Sequence, residues 1–416
     1  MKFLKVDSRP DHADFLRTQA GYDPGYEEPG EEYLATGEIL QITEAQADKL
    51  YEAGKELYQM CLAAVDHVIK HKRFAEFGIG PEQGKLITAS WNRDPLPDGT
   101  TRDPELYCRF DLAWDGGNNI KFFEANADTP TTTYEASVVQ WVMLQDLIKR
   151  GELPEGMSQF NSIEEELRDR FKHIYNMASG KVTDTLHLTA VTEVPEDLGV
   201  ISYLGELAGQ AGWKTHIVDV AHIGANEIKA SRDYAKLFDE KDKEIKALYK
   251  LMPWEHLFEA DYSKYLTKDN ILMFEPPWRA IMSNKMLSVV LWELFPDHKY
   301  LLPTYTSPEK FDGTYVEKPI FGREGSAIKI IFDGKADPGQ KQHVPGVFSY
   351  QDYPKIYQGY AELPKPEGGP KHGIVTGLWM VGDEPCGMDL RYDSSPITGS
   401  KCARFLPHSM VPYPAM

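Results

Sequence analysis

The densest run of residues able to do chemistry lies between Arg109 and Thr133. Two β-like segments, Glu105 to Leu112 and Asn119 to Asn126, flank Ala113-Trp-Asp-Gly-Gly-Asn118, in which Asp115-Gly116-Gly117 is a strong turn signal. They predict a hairpin. Side chains alternate along a strand, so Leu106, Cys108, Phe110 and Leu112 share one face and leave Arg109 and Asp111 on the other, while Glu124 and Asn126 share a face of the second strand. A register that joins the polar faces would bring together two carboxylates, an amide oxygen and a guanidinium, and such hard oxygen ligands suit Mg²⁺. Spacing alone leaves this open against an ordinary hairpin with one solvated, charged face. The hydroxyl-rich turn that follows, Asp128-Thr129-Pro-Thr131-Thr-Thr133, leads into a helical run from Tyr134 to Leu147, and a helix start of that kind suits an anionic group.

A second concentration lies in the last third. The strand Tyr315 to Lys318 runs into Gly322-Arg-Glu-Gly325 and out through the strand Ala327 to Phe332. No Gly-Lys-Ser/Thr opens a helix here, so this is not a Walker A loop, but a Gly-rich flap between antiparallel strands can lay backbone N–H groups on phosphate. A Gly-x-x-Gly turn by itself is also an ordinary turn. Lys285 is expected just inside a helix capped by Ser283, where the macrodipole disfavours a cation unless an anion binds. An exposed lysine tolerated at small cost is the plainer reading. Gly387, Asp389, Arg391 and Asp393 alternate along the final strand and share a face. An ion pair between Asp389 and Arg391 within that strand is not expected, and cross-strand pairing is the simpler partner for Arg391.

These groups need a scaffold, and 416 residues supply about two to three domain-sized units or several packed subdomains. Thr43 and Gln46 form a capping box that opens a helix with Leu50, Ala53, Leu57, Cys61, Ala64, Val65 and Val68 on one stripe. The first forty residues show no clean period and read as irregular structure wrapping a later surface. Leu186 to Val191 and Thr215 to Val220 read as strands around a helix from Glu196 to Ala211, an α/β unit with a parallel sheet. Ser231 to Lys250 is charged and helical in composition. From Thr314 onward short strands, among them Ile374 to Val381 and Pro385 to Arg391, predict a mainly antiparallel α+β region. Asp333 to Val344 has the composition of a mobile loop.

Composition narrows the function classes. Lys and Arg total 45 against 64 Asp and Glu, a net charge of −19 that repels nucleic acid and anionic membranes and would favour a cationic substrate, although simple solubility is the better explanation of it. Four scattered cysteines, Cys61, Cys108, Cys386 and Cys402, form no CxxC pair, so neither a disulfide framework nor a zinc site is expected from them. With neither a signal peptide nor a membrane-spanning run, a cytoplasmic location is expected.

Phe123-Glu-Ala-Asn-Ala-Asp-Thr-Pro130 and Glu135-Ala-Ser-Val-Val-Gln-Trp141 closely resemble the signature of the glutathionylspermidine synthase family. The resemblance recurs at Leu251-Met-Pro-Trp-Glu255, Glu275-Pro-Pro-Trp278, Ser283-Asn-Lys285, Trp292-Glu-Leu-Phe-Pro296, Lys318-Pro-Ile-Phe-Gly-Arg-Glu-Gly325 and Arg404-Phe-Leu-Pro-His408, covering roughly residue 100 to the end. It implies an α/β and α+β chain with an ATP-grasp-like fold in permuted order, preceded by a pre-ATP-grasp α/β region. The implied divisions are an N-terminal helical and irregular segment over 1–100, the metal-ligand hairpin and helix over 101–150, the pre-ATP-grasp-like subdomain over 151–270 and the nucleotide-binding region over 271–416. The family's Cys/His amidase domain has no room in this chain, so ligase chemistry without the hydrolase is expected.

By the same resemblance, Asp111, Glu124 and Asn126 are the Mg²⁺ ligands. Lys285 and Lys318 hold the ATP phosphates with Gly322, Glu324 and Gly325 of the flap, and Tyr360, Ala361 and Glu362 meet adenine near Ile397. Arg109 and Arg391 stabilise a reacting acyl phosphate. Thr129 and Thr131 hold the glutathione end of the substrate, and Glu196 and Asp197 match the acidic pair for the amine, although first-turn helix acids favoured by the dipole explain that pair more simply. Near Ser400-Lys401 a cation stands where another acid facing a polyamine would be sought. The implied reaction is ATP- and Mg²⁺-dependent amide formation between a peptide or other carboxylate and an amine. The alternatives are a ligase for another peptide and amine, and an ATP-binding regulatory module without turnover.

Overall fold

The computed structural model describes residues 1–23, 33–180, 182–226, 236–260, 266, 271–336, 350–399 and 403–412. Strand β1 (Lys2–Lys5), helix α1 (His12–Gln19) and strand β2 (Glu38–Thr43) replace the irregular structure expected over the first forty residues. β1 and β2 pair antiparallel, and β2 takes the C-terminal strand as its parallel neighbour, so these short segments gain stability only from partners distant in sequence. Thr43 then starts the long helix α2 (Glu44–Lys70). Its hydroxyl accepts from the Gln46 N–H and the Gln46 side chain accepts from the Thr43 N–H, the expected capping box, a device that contributes about 1 kcal/mol. The predicted stripe of α2 is buried in the main hydrophobic core.

After α3 (Pro81–Trp91), β3 (Tyr107–Trp114) and β4 (Ile120–Asn126) form the expected hairpin. The helical run after it begins as a π-helical turn over Glu135–Val139 and continues as α4 (Gln140–Lys149). Helix α5 (Ile163–Ala178), β5 (Thr185–Ala190), α6 (Pro195–Gln210) and β6 (Lys214–Asp219) build the predicted α/β unit. Small strands β7 (Gly224–Asn226), β8 (Lys236–Phe238) and β9 (Glu244–Ile245) make a three-stranded antiparallel sheet, followed by β10 (Ala247–Lys250). The helix expected over Ser231 to Lys250 is therefore a misreading for the described residues 236–250. Leu237 and Ile245 bury in the small sheet and all four residues of β10 are buried, so burial between neighbouring strands overrides a charged, helix-like composition. With β11 (Leu272–Phe274), the order β11-β10-β5-β6 gives the parallel sheet, in which β10 and most of β5 are buried and β6 is an exposed, more polar edge strand.

Short helices α7 (Trp254–Leu257), α8 (Arg279–Met282) and α9 (Leu287–Leu294) lead into the last third. There β12 (Thr304–Tyr305), β13 (Tyr315–Pro319), β14 (Lys329–Phe332), β15 (Lys335–Ala336) and β16 (Lys355–Gly359) form an antiparallel sheet in the order β12-β16-β13-β14-β15. Residues 337–344 of the expected mobile loop lie outside the described residues, as do Ser400 and Lys401. Finally β17 (Val375–Val381), β18 (Glu384–Tyr392) and β19 (Arg404–Leu406) join the early hairpin in a second antiparallel sheet, β19-β18-β17-β3-β4, and β20 (His408–Val411) returns to β2. One hairpin from the first third thus supplies two of the five strands of a sheet finished by the last. Its apolar face, with Cys108, Phe110, Leu112, Leu378, Met388 and Leu390, forms the core with α2, and its polar face is left for chemistry.

Among the described residues no helix is long and apolar enough to cross a membrane. Cys61, Cys108 and Cys386 are buried free thiols.

Candidate functional site

The hairpin register pairs Asp111 with Glu124 and Arg109 with Asn126, so all four side chains rise from one face. On the other side of β3, Gly377 of β17 stands opposite Asp111, and on β18 it stands opposite Asp389. A Cβ at residue 377 would lie 2.1 Å from Asp389 Oδ1 and 2.6 Å from Arg109 Cδ, so the missing side chain is what lets charged groups from three strands meet. Arg109 Nε donates to Asp111 Oδ1 at 2.8 Å, Arg391 donates through Nη2 to the same oxygen at 2.6 Å, and the Asn126 amide donates to Asp111 Oδ2 at 3.0 Å. Burial would push the Asp111 carboxyl up, but the two guanidiniums outweigh it and hold the group at about 2. Arg391 Nε donates to Asp389 Oδ2 at 2.9 Å. The expectation that these two could not pair along one strand is therefore wrong. They share a face two residues apart, and the long guanidinium arm folds back on a carboxylate that Trp379 Nε1 fixes from the next strand.

The lysines approach from the other five-stranded sheet and from the α8–α9 turn. Lys318 Nζ donates to Gln358 Oε1 at 2.8 Å and lies 3.8 Å from Glu124 Oε2; burial lowers its affinity for a proton and Glu124 opposes that shift. Lys285 Nζ donates to the Gly322 carbonyl at 2.6 Å and lies 3.6 Å from the same Glu124 oxygen. Ser283 is not the expected N-cap. It follows the four-residue α8 as its C-cap, and Lys285 occupies the turn before α9 with its N–H donated to the Ile320 carbonyl, so the lysine is placed by a turn packed on β13. Glu124 Oε2, buried between two ammonium groups, accepts no hydrogen bond from any described residue.

A cleft of about 770 Å³ opens over these groups. Arg109, Asp111, Glu124, Asn126, Lys318 and Arg391 line it, together with Thr129, Thr131, Glu324, Gly325, Tyr360, Ala361 and Ile397. Gly325 has φ +70, and a Cβ there would come within 2.7 Å of both Ile397 Cγ2 and the Thr398 carbonyl, so the flap lies directly on the segment carrying Ile397. Gly322 and Lys285 border a neighbouring cavity of about 200 Å³ behind the flap instead. Glu362 is exposed and pairs with Lys365, which leaves its backbone, not its carboxylate, for any contact with a ligand. Glu196 and Asp197 occupy the first turn of α6, as dipole acids would, and also line the cleft. Burial, then the nearby Glu324, pushes the Asp197 carboxyl up to about 6 and raises that of Glu196.

Three contributors carried no assignment in the sequence. Arg323, inside the Gly322–Gly325 motif, donates to Thr129 Oγ1 at 2.6 Å and lies 3.3 Å from Glu255. Asp128 accepts from the Trp254 N–H at 2.7 Å and pairs with the buried Lys250, which anchors the hydroxyl-rich turn. Gly377, a glycine in mid-strand, is the kind of signal that points to a close approach.

A family model described as "Glutathionylspermidine synthase preATP-grasp" matches residues 4–411, so the match extends through the N-terminal hundred residues as well. A Haemophilus influenzae protein whose own name proposes an acid–amine ligase is 35% identical over 390 residues, covering 92% of each chain. The bifunctional glutathionylspermidine synthetase/amidase of Escherichia coli is 27% identical over 381 residues, 85% of this chain and 56% of that one, and trypanothione synthetase of Crithidia fasciculata is 27% identical over 374 residues, 83% and 52%. In fold, a glutathione synthetase-like effector from Globodera pallida superposes with a TM-score of 0.57 at 9% identity over 96% of both chains. The mixed α/β architecture, the full-length match and these relatives make the chain a member of the glutathionylspermidine synthase family, whose enzymes form C–N bonds.

Proposed function

We propose that this chain is an ATP- and Mg²⁺-dependent carboxylate–amine ligase that works through an acyl phosphate, with an ATP-grasp-like core in which the metal ligands precede the phosphate lysines. The observation that carries this reading is the convergence of Asp111, Glu124 and Asn126 with Lys318 around one cleft, while Lys285, distant in sequence, reaches the same Glu124 oxygen from the neighbouring cavity. The donor set is all oxygen, as a hard cation requires, and the buried Glu124 Oε2 without a hydrogen-bond donor is a vacant lone pair aimed at such a charge. Bound Mg²⁺ would offset the charge of the nucleotide phosphates and draw electron density from the transferring phosphorus.

The chain's own residues supply the rest. Lys285, Lys318 and the flap around Gly322, Glu324 and Gly325 hold the phosphates, and the Tyr360–Glu362 backbone with Ile397 holds the base. A carboxylate oxygen of the substrate attacks the γ-phosphorus, the bond to the β–γ bridging oxygen breaks, and ADP leaves. Arg109 and Arg391, aimed by Asp111 and Asp389, meet the charge on the transferring group. The amine nitrogen then attacks the acyl carbon, phosphate departs with the former carboxylate oxygen, and the nitrogen sheds its proton. Thr129 and Thr131 are assigned to the carboxylate substrate and Glu196 and Asp197 to the amine, a cationic group that two acids bordering the cleft would attract.

The acid and the amine need not be glutathione and spermidine, because the relative with 35% identity carries a name that specifies neither. ADP release measured against panels of peptides and amines separates the readings. Dependence on glutathione plus a polyamine identifies the family's own pair, dependence on another pair identifies a different ligase, and tight ATP binding without turnover under any pair overturns the enzymatic assignment in favour of a regulatory module.

A further inference from the structure

Away from the cleft, strands β5 and β6 place His187 directly opposite His216 in the parallel register, with ring centroids 5.6 Å apart. The turn between β8 and β9 brings Asp239 and Glu240 to the same point. His187 Nε2 lies 3.4 Å from Asp239 Oδ2, His216 Nε2 lies 3.6 Å from the same oxygen, and His216 Nε2 lies 3.0 Å from Glu240 Oε1. The ligand atoms of His216, Asp239 and Glu240 all fall within 4.8 Å of one another.

A tetrahedral zinc site with metal–ligand bonds of about 2.0–2.1 Å has ligand atoms about 3.3 Å apart, and the three separations bracket that spacing. The aim of Asp239 is fixed from behind. Its Oδ1 accepts the Lys241 and Lys243 N–H groups at 2.9 and 2.8 Å, so Oδ2 is the oxygen turned towards both imidazoles. Asp239 and His187 are buried at 4% and 2% exposure, and a loose surface ion pair does not produce two buried walls. His187 turns its Nε2 edge towards Asp239 Oδ2, which it meets at 3.4 Å. One competitor is present, since Lys241 Nζ lies 3.5 Å from Glu240 Oε1, but it approaches only the exposed carboxylate.

We propose that His216, Asp239 and Glu240, with His187 beside them, form a second, structural binding site for a borderline divalent cation of the zinc class, separate from the oxygen-ligand site of the cleft. An imidazole nitrogen and two carboxylate oxygens suit such an ion, where the cleft's all-oxygen set suits a harder one. Three protein ligands from two elements give the site a purpose in the fold. It would staple the small β7–β9 sheet to the β5–β6 edge of the parallel sheet.

The test uses the full chain stripped of metal by chelation and titrated with zinc chloride, with cobalt(II) as a spectroscopic probe. The wild type is expected to take up one Zn²⁺ with a Kd below roughly 1 µM, to gain several degrees in Tm, and to give the visible absorption of tetrahedral cobalt. His216→Ala and Asp239→Asn should each lose the cobalt spectrum, while Glu124→Gln, which disables only the cleft ligands, should retain it. Failure of the wild type to bind, binding weaker than that limit, or a cobalt spectrum that survives His216→Ala would overturn the site. Because His216 is partly exposed, its alanine variant keeps the test meaningful if Asp239→Asn misfolds.

Discussion

The two five-stranded antiparallel sheets face one cleft but treat their charges in opposite ways. In β19-β18-β17-β3-β4, Arg109, Asp111, Asp389 and Arg391 are paired with one another before any ligand arrives, over a glycine that admits all four. On the side of β12-β16-β13-β14-β15, Lys318 is buried with a single neutral partner, and with Lys285 it faces a Glu124 oxygen that accepts no hydrogen bond from the described residues. The first sheet is a preassembled wall whose charges stabilise the fold and fix geometry. The second is a clamp in which two ammonium groups share one carboxylate, which leaves positive charge in excess, and under the proposed function that excess meets the nucleotide phosphates.

Substitutions should separate the two roles. Lys318→Met should lower turnover about 10³-fold while changing stability by less than about 1 kcal/mol in urea melts, because a desolvated ammonium contributes little to folding. Comparable losses of stability and turnover would remove the distinction between wall and clamp. Gly377→Ala should fail differently. Its Cβ strikes Asp389 and Arg109, so a stability loss of about 1–3 kcal/mol should accompany a turnover loss of roughly 10²-fold, and an intact melting curve would show that the wall is not tightly assembled. Gly325→Ala, strained at φ +70 and crowded by Ile397 and the Thr398 carbonyl, should weaken nucleotide binding about tenfold in calorimetry and cost about 1 kcal/mol of stability.

The smallest effect concerns pH. Asp197 is protonated below about 6 and carries its charge above it, so KM for the amine should fall a few-fold as pH rises through 6, while KM for ATP stays flat. Asp197→Asn should flatten the amine profile. A profile that keeps its inflection in that variant would move the amine away from α6.

The hairpin, the capping box and the parallel α/β unit were legible because each is written in local signals: a Gly-Gly turn with alternation, a Thr–Gln pair at a helix start, and apolar runs bounded by turns. What stayed hidden depends on distant chain. The pairing of β3 with β17 places Asp111 opposite Gly377, and nothing near either residue encodes that register. The contact of Arg391 with Asp389 was dismissed because strand spacing describes Cβ positions and not the reach of a guanidinium. Strands β1 and β2 were missed because they are stabilised by each other and by β20, and the strands over 236–250 because burial outvoted composition. The shared faces of Arg109 with Asp111 and of Glu124 with Asn126 could be read from alternation, whereas the turn that delivers Lys285 to them could not.

The meeting of hairpin oxygens with the two lysines is tested most directly by the magnesium dependence of ATP binding, measured calorimetrically in the wild type and in Glu124→Gln. Wild-type affinity should rise at least tenfold when Mg²⁺ is added, and the variant, with its fold intact, should lose that increase. An equal magnesium-dependent gain in both proteins would contradict the account.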